Sequence, residues 1–171
     1  CLQFAEECVK QGIKYIIGCE LYAVDDHLAK IHGIRNEHIV LLAKNKTGYK
    51  NIVKLDSLSY IDGYYGGKPR ISYDLIKKHH EGVICLSGCL AGRIPQLLLK
   101  GEYDQAKAFA TEMKDVFGDD FYIEIQDHGI ADEKQVLPEL IKLARELDIQ
   151  LVATNDSHYV EKADWEAHEV L

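Results

Sequence analysis

The sequence predicts an α/β fold in which short apolar strands alternate with amphipathic helices. Apolar runs of strand length cover residues 15–19, 39–43, 83–86, 121–125 and 151–154. Apolar residues spaced by three and four positions, as on one face of a helix, cover residues 2–11, 103–117 and 133–147. Because the strand runs lack clean polar alternation, they favour a parallel sheet covered by helices, either an open sheet or a barrel.

Turn and cap residues divide these elements. Gly12 and Gly118 follow two of the helix-like stretches and predict where the helices end. Ser72 is a candidate cap for a short helix over residues 75–79. Residues 60–70 are rich in glycine and are predicted to form a surface loop within one domain rather than a linker.

Composition indicates one globular domain. The chain has 171 residues, 47% of them hydrophobic and 28% charged, which is enough to bury a core and argues against disorder. It begins at Cys1 rather than at a methionine and stops at Leu171 within helix-like sequence, so we expect an internal piece of a longer protein.

The apolar runs and the cysteines indicate the cellular compartment of the protein. No apolar run approaches the roughly 20 residues that cross a bilayer, and no signal-peptide pattern is present, so a cytosolic protein is expected. An odd number of cysteines, five, without repeated spacing favours reduced thiols or metal ligands over disulfides.

Charge limits the mode of nucleic-acid contact. The net charge is −8, whereas a domain that grips duplex DNA unaided is usually basic. An acidic domain can still act on a phosphodiester if its carboxylates hold divalent cations that face the substrate.

Asp156 and His158 are the sharpest local candidates for chemistry. They follow the last apolar run, and residues just past a strand face the site of many α/β proteins. Two residues apart in extended chain, they can project to one side and form a carboxylate–imidazole pair for zinc, manganese or iron. A capping aspartate beside a surface histidine explains the same pattern.

Two acids accompany apolar runs. Glu20 ends the first run and is either a metal ligand or a solvated carboxylate. Glu124 lies inside the fourth run, where a buried charge requires a partner.

His38 and Cys89 are weaker candidates when taken alone. His38 opens the second run, and this position fits poorly with a site at the C-terminal ends of strands. Cys89 lies between glycines after the third run; a thiolate there would suit zinc, although a lone buried cysteine is commoner.

Five blocks in order resemble the PHP domain of bacterial DNA polymerase III alpha subunits. They are Ile-Gly-Cys-Glu at 17–20, His-Ile-Val-Leu-Leu-Ala-Lys-Asn at 38–45, Ser-Gly-Cys-Leu-Ala-Gly at 87–92, Gly-Asp-Asp-Phe-Tyr with Gln-Asp-His-Gly within 118–129, and Ala-Thr-Asn-Asp-Ser-His-Tyr at 153–159. The resemblance covers residues 1–171 and implies a distorted (β/α)7 barrel of the TIM type, incomplete at its N-terminus.

The resemblance also implies a metal site. The matching ligand positions are Glu20, His38, Cys89, Asp156 and His158. Asp156 and His158 would share one ion, and Glu20 would bridge two of up to three ions of zinc or manganese, with magnesium as a third option. The family's first ligand motifs, His-x-His and Thr-Asp-His-Gly, are absent and are expected upstream.

The implied parent is a bacterial DNA-directed DNA polymerase, a nucleotidyltransferase that acts on a primer–template with other replicase subunits in the cytoplasm. Its PHP domain would be a phosphoesterase, a 3′-to-5′ exonuclease, whereas this piece alone is expected to be inactive. Two alternatives are a stand-alone PHP phosphatase acting on a small phosphomonoester, and an inactive structural PHP domain that contacts a partner.

Overall fold

The chain folds as helices packed on one mixed sheet. The computed structural model describes residues 2–170. The strands are β1 Gly18–Val24, β2 Glu37–Ala43, β3 Arg70–Ser72, β4 Val83–Leu86, β5 Phe121–Ile125 and β6 Gln150–Ala153. The helices are α1 Leu2–Lys10, α2 Lys46–Ile61, α3 Tyr73–Lys78, α4 Arg93–Leu99, α5 Tyr103–Phe117, α6 Ala131–Glu146 and α7 Trp165–His168, with short 3₁₀ turns at Gly118–Asp120 and Lys162–Asp164.

The sheet has six strands in the order β3-β1-β2-β4-β5-β6. The pairs β1–β3, β4–β5 and β5–β6 are parallel, but β2 runs antiparallel to both β1 and β4. The prediction of a parallel sheet is therefore wrong for β2. The connection from β1 to β2 contains no helix, so it returns the chain as an antiparallel neighbour instead of crossing over to a parallel one.

The sheet of residues 2–170 is open, with β3 and β6 at its edges. The α/β class is confirmed, while the seven-stranded barrel implied by the resemblance stays a prediction. Within the same residues, no helix has the length and apolar composition needed to cross a membrane.

The boundaries of the predicted elements agree with the structure to within two residues, except for the first strand. We predicted a strand over residues 15–19, but β1 is Gly18–Val24, and Tyr15 and Ile16 are exposed. The strand lies further along because residues 18–23 pair with β2 and place Leu21 and Ala23 in the core. Ser72 caps α3 as predicted, since its side chain accepts the N–H of Leu75 at 3.4 Å.

Helix α2 was not predicted. Its sequence nevertheless carries a signal, because the side chain of Asn45 accepts the N–H groups of Thr47 and Gly48 as an N-cap. Ile52 and Leu55 on one side of this helix are buried against the sheet.

One face of the sheet carries the core. The core side chains there include Leu21, Ile39, Leu41, Cys85 and Ile123, and helices α2, α5 and α6 contribute Leu55, Met113 and Leu143.

The opposite face of the sheet carries the candidate polar side chains among apolar ones. Strand register pairs Glu20 with Val40, Tyr22 with His38, and Glu124 with Val152. Since side chains alternate between the two faces of a strand, Glu20, Tyr22, His38 and Glu124 all lie on the face away from this core.

Candidate metal site

His38 is the centre of a three-residue cluster. Its Nδ1 atom lies 2.8 Å from Oε1 of Glu20 and 3.6 Å from Sγ of Cys89. Glu20 and His38 are diagonal neighbours on one face of the antiparallel pair β1–β2, where such side chains come within reach. The structure therefore joins three of the five predicted ligands.

The antiparallel direction of β2 explains why its first residues belong to the site. β2 begins at the end of the sheet where its neighbours β1 and β4 finish. His38 therefore lies at the same end as Cys89, which follows β4. The misfit noted from the sequence arose from the assumption of a parallel strand.

The loop after β4 is built around Gly88 and fixes Cys89 against β2. Gly88 has φ 84° and a Cβ there would lie 2.5 Å from the carbonyl oxygen of His38. The N–H of His38 donates to the carbonyl of Ala91 at 3.1 Å. Only glycine allows this approach of loop and strand, so the Cys89 thiol is held beside the imidazole by backbone contacts.

The charges of the cluster reinforce one another. Hydrogen bonds to Cys89 and to Glu20 raise the pKa of His38 to about 10, although burial opposes this. The hydrogen bond from His38 lowers the pKa of Glu20, and the charge of His158 contributes to the same shift. Glu20 is therefore an anion that faces positive charge on its neighbours.

Asp156 and His158 lie beyond the C-terminal end of β6. Nδ1 of His158 lies 2.7 Å from the carbonyl oxygen of Asp156 and 4.0 Å from its Oδ1. Both line an open cleft of about 340 Å³ together with His128, Asn155, Ser157, Tyr159 and His168. β4, β5 and β6 are parallel, so Cys89 and Asp156 both follow strands at one end of the sheet. Convergence of Glu20, Asp156 and His158 around an ion stays a prediction.

Glu124 connects the loops that carry Cys89 and Asp156. It is 5% exposed, and its carboxylate accepts hydrogen bonds from the hydroxyl of Thr154 and from Gln126 at 3.2 Å. Its own N–H donates to Oγ of Ser87 at 2.9 Å. The expectation that this acid needs partners is confirmed, although its Oε2 is buried without one.

Burial raises the pKa of Glu124, with a contribution from the charge of Asp156. Burial therefore destabilises the charged form of Glu124 at this position next to Cys89 and Asp156. A buried, unpartnered carboxylate oxygen at this place fits a region of the molecule built to face positive charge.

The interactions of His128 were missed by residue-level reasoning. His128 donates its N–H to Oε2 of Glu133 at 2.6 Å, its Nδ1 lies 2.6 Å from Oε1, and its Nε2 lies 2.8 Å from the carbonyl of Asn155. The hydrogen bond to Glu133 raises the pKa of His128. His128 thereby orients the segment that carries Asp156.

Tyr22 and Lys68 were also missed. The rings of Tyr22 and His38 make an edge contact with centroids 5.2 Å apart, and Nζ of Lys68 lies 3.0 Å from the Tyr22 hydroxyl. The signal in the sequence was the spacing, because a residue two positions after Glu20 in a strand shares its face.

The donor chemistry of the cluster suits a transition metal, since carboxylate, imidazole and thiolate are the ligands that zinc accepts. Across residues 2–170, no group of three His, Cys, Asp or Glu side chains is arranged so that it could hold a metal ion. The donor types of the cluster suit a metal, but a site here would require further ligands.

The α/β fold agrees with comparison of the sequence with known families. The profile of the PHP domain matches residues 1–128, and the chain belongs to this family.

Within this family, the chain is similar to DNA polymerase III alpha subunits. The chain is 47% identical over 175 residues to the DNA polymerase III subunit alpha of Treponema pallidum (strain Nichols). Identity is 44% over 178 residues to the same subunit of Borreliella burgdorferi and 43% over 175 residues to that of Thermus aquaticus. Each match covers 99% of this chain but only 14% or 15% of the relative, so the chain spans about a seventh of their length.

Proposed function

We propose that this chain is part of a bacterial DNA polymerase III alpha subunit and supplies the later ligands of a metal-dependent phosphoesterase site in its PHP domain. The observation that carries the proposal is the Glu20–His38–Cys89 cluster, with its 2.8 Å and 3.6 Å contacts. The parent would be a cytoplasmic DNA-directed DNA polymerase working on a primer–template with other replicase subunits. Its PHP domain would cleave single strands from the 3′ end.

The five predicted ligands divide into two groups in this proposal. His38 on β2 and Cys89 after β4 would supply an imidazole and a thiolate, while Glu20, on β1 at the other side of β2, would bridge two positions. Asp156 and His158 would hold a further position from the loop after β6. A bound zinc or manganese ion, or magnesium, supplies Lewis acidity toward the phosphate and lowers the pKa of a water.

The remaining ligands would come from other parts of the parent. The His-x-His and Thr-Asp-His-Gly motifs expected for the family do not occur in the 171 residues. Strands that carry them would continue the open sheet toward the seven-stranded barrel. The isolated chain would therefore lack hydrolytic activity.

A structural PHP domain is the second candidate, and one observation favours it. His38 forms a direct ion pair with Glu20 and contacts Cys89, so these three side chains can pair with one another. Such a domain would support the polymerase or a partner and would not hydrolyse DNA. A stand-alone phosphatase is disfavoured because similarity to alpha subunits runs along 99% of the chain.

The test uses the full-length parent polymerase, purified without chelators and compared with its Glu20→Gln variant. We expect bound metal by elemental analysis and release of nucleotides from a 3′-labelled single strand, both reduced in the variant. Glu81→Gln is the matched control, because Glu81 is exposed and precedes β4 at the opposite end of the sheet. Equal metal content and equal cleavage in wild type and Glu20→Gln would overturn the proposal and leave the structural domain.

A further inference from the structure

Lys68 is presented to the candidate site by a tight turn. The backbones of Tyr65 and Lys68 exchange two hydrogen bonds, of 3.0 and 3.2 Å. The intervening Gly66 and Gly67 have φ of 60° and 79°, which is the geometry of a two-residue type I′ turn. Two glycines there fix the position of the Lys68 backbone.

Arg70 anchors the turn to the sheet. It is 5% exposed, pairs in register with Tyr22, and donates from Nε to Oδ1 of Asn36 at 2.6 Å. Its guanidinium also lies 5.5 Å from the ring of Tyr65. The loop that carries Lys68 is therefore docked beside β1.

The Lys68 side chain lies on the polar face of the sheet. Its Nζ donates to the Tyr22 hydroxyl at 3.0 Å and lies 4.7 Å from the ring centroid. Tyr22 in turn contacts the ring of His38. The ammonium group of Lys68 is thus connected through Tyr22 to His38, the centre of the Glu20–His38–Cys89 cluster.

This ammonium group is available to a ligand. Lys68 is exposed, and none of the ion pairs formed within residues 2–170 involves it. An ammonium has three N–H donors and Tyr22 occupies one. In a chain of net charge −8, an exposed lysine without an ion-pair partner, joined to His38 through Tyr22, is placed to receive an anion.

We propose that Lys68, oriented by Tyr22, binds a non-bridging phosphate oxygen of the single-stranded DNA end presented to the site. The proposal rests on the phosphoesterase function above and adds the group that positions its substrate. A lysine acts on phosphate as a point charge, so it would bind the backbone of any sequence. It takes no part in the proton transfers of the reaction.

The test compares full-length parent polymerases carrying Lys68→Met, Lys68→Arg and Tyr22→Phe. Methionine keeps the apolar stem but removes the charge. The control is Lys78→Met, because Lys78 is exposed at the end of α3, which leads to the start of β4 at the other end of the sheet. Primer extension on each preparation verifies folding.

We expect Lys68→Met to raise the KM for 3′-to-5′ cleavage of a single-stranded oligonucleotide about tenfold with little change in kcat, as for loss of one charged hydrogen bond. The slope of log(kcat/KM) against log salt should fall by about 0.7, the value for one phosphate contact on a single strand. Lys68→Arg should restore the slope, and Tyr22→Phe should give an intermediate KM.

A binding measurement independent of cleavage completes the test. A labelled six-nucleotide strand is titrated in Ca²⁺, with excess hairpin primer–template saturating the polymerase site, and Lys68→Met should bind more weakly than Lys78→Met. Wild-type cleavage with an unchanged KM and salt slope in Lys68→Met overturns this inference alone. Absence of cleavage in the wild type would instead overturn the phosphoesterase function on which it rests.

Discussion

Oε1 of Glu20 lies 2.8 Å from Nδ1 of His38 across the antiparallel pair β1–β2. The contact depends on strand direction. If β2 ran parallel to its neighbours, as its apolar pattern predicts, His38 would begin its strand at the opposite end of the sheet. The turn of the chain between these strands therefore creates the cluster.

Gly88→Ala should destabilise the chain and disturb the cluster. The new Cβ would lie 2.5 Å from the His38 carbonyl oxygen, and the backbone of residue 88 has φ 84°. Because steric overlap and backbone strain both destabilise the folded state, the free energy of unfolding should fall by about 2–3 kcal/mol. Urea unfolding of the 171-residue chain measures the change in the free energy of unfolding.

Gly129→Ala is the matched control for this substitution. Gly129 has φ 81° but nothing within 4 Å of its added Cβ, so only the backbone strain of about 1 kcal/mol remains. Equal losses at the two positions would show that contact between the Gly88 loop and His38 contributes nothing to stability.

The isolated chain should bind Zn²⁺ or Mn²⁺ weakly. It offers only part of a coordination sphere, and an ion must also displace the proton and the Glu20 ion pair held by His38 before that imidazole can bind it. Titration calorimetry with the 171-residue chain should give affinities far below those of the full-length parent. Tight stoichiometric binding by the chain alone would contradict this expectation.

The His128–Glu133 pair should make stability depend on pH in a defined window. The hydrogen bond to Glu133 raises the pKa of His128 above 6.5, so its contribution is present below 6.5 and is lost as pH rises through the folded value. Burial would raise the pKa of Glu133, but hydrogen bonds from His128 outweigh it and lower the value below 4.5. That contribution is present above 4.5 and is lost as pH falls through the folded value.

His128→Gln should therefore lower the free energy of unfolding more at pH 5.5 than at pH 9. Because His128 is 37% exposed in its side chain, solvent screening limits the difference to about 1 kcal/mol or less. Urea unfolding at both values of pH measures it, with the exposed His32→Gln as reference. A loss that is the same at both values would indicate that the pair contributes no charge-dependent stability.

The sequence predicted the α/β class and the helices α1, α5 and α6 because their apolar periods are local, and it predicted α3 from the cap residue Ser72. It also marked Glu124, since a charge within an apolar strand requires partners. Strand direction and register are set by contacts between distant segments, so the antiparallel β2 and the shift of β1 to Gly18–Val24 were not predictable from periodicity.

Residue-level patterns could select candidate ligands but not their neighbours. His38 alone was an ordinary histidine beside a strand, and its role follows from contacts with Glu20 and Cys89. The approach of Lys68 to Tyr22 depends on β3, a three-residue strand too short to have a periodic pattern.

Asp156→Asn in the full-length parent should remove 3′-to-5′ cleavage while sparing the fold. Asp156 has φ 46°, a left-handed conformation that asparagine tolerates and alanine does not, so the backbone should keep its shape. Only the anionic ligand is lost.

Loss of the Asp156 carboxylate should weaken metal binding at least as much as loss of a group that only hydrogen-bonds to a metal ligand, which is roughly 10–100-fold. Excess Mn²⁺ should restore part of the rate of 3′-to-5′ cleavage. Asp148→Asn is a close control, because Asp148 also has positive φ, 52°, but precedes β6 at the other end of the sheet. Cleavage, primer extension and thermal melting are measured on the same preparations. Unchanged cleavage in Asp156→Asn would exclude a catalytic ion at this position, whereas joint loss of cleavage and extension with a lowered Tm would favour the structural role of the domain.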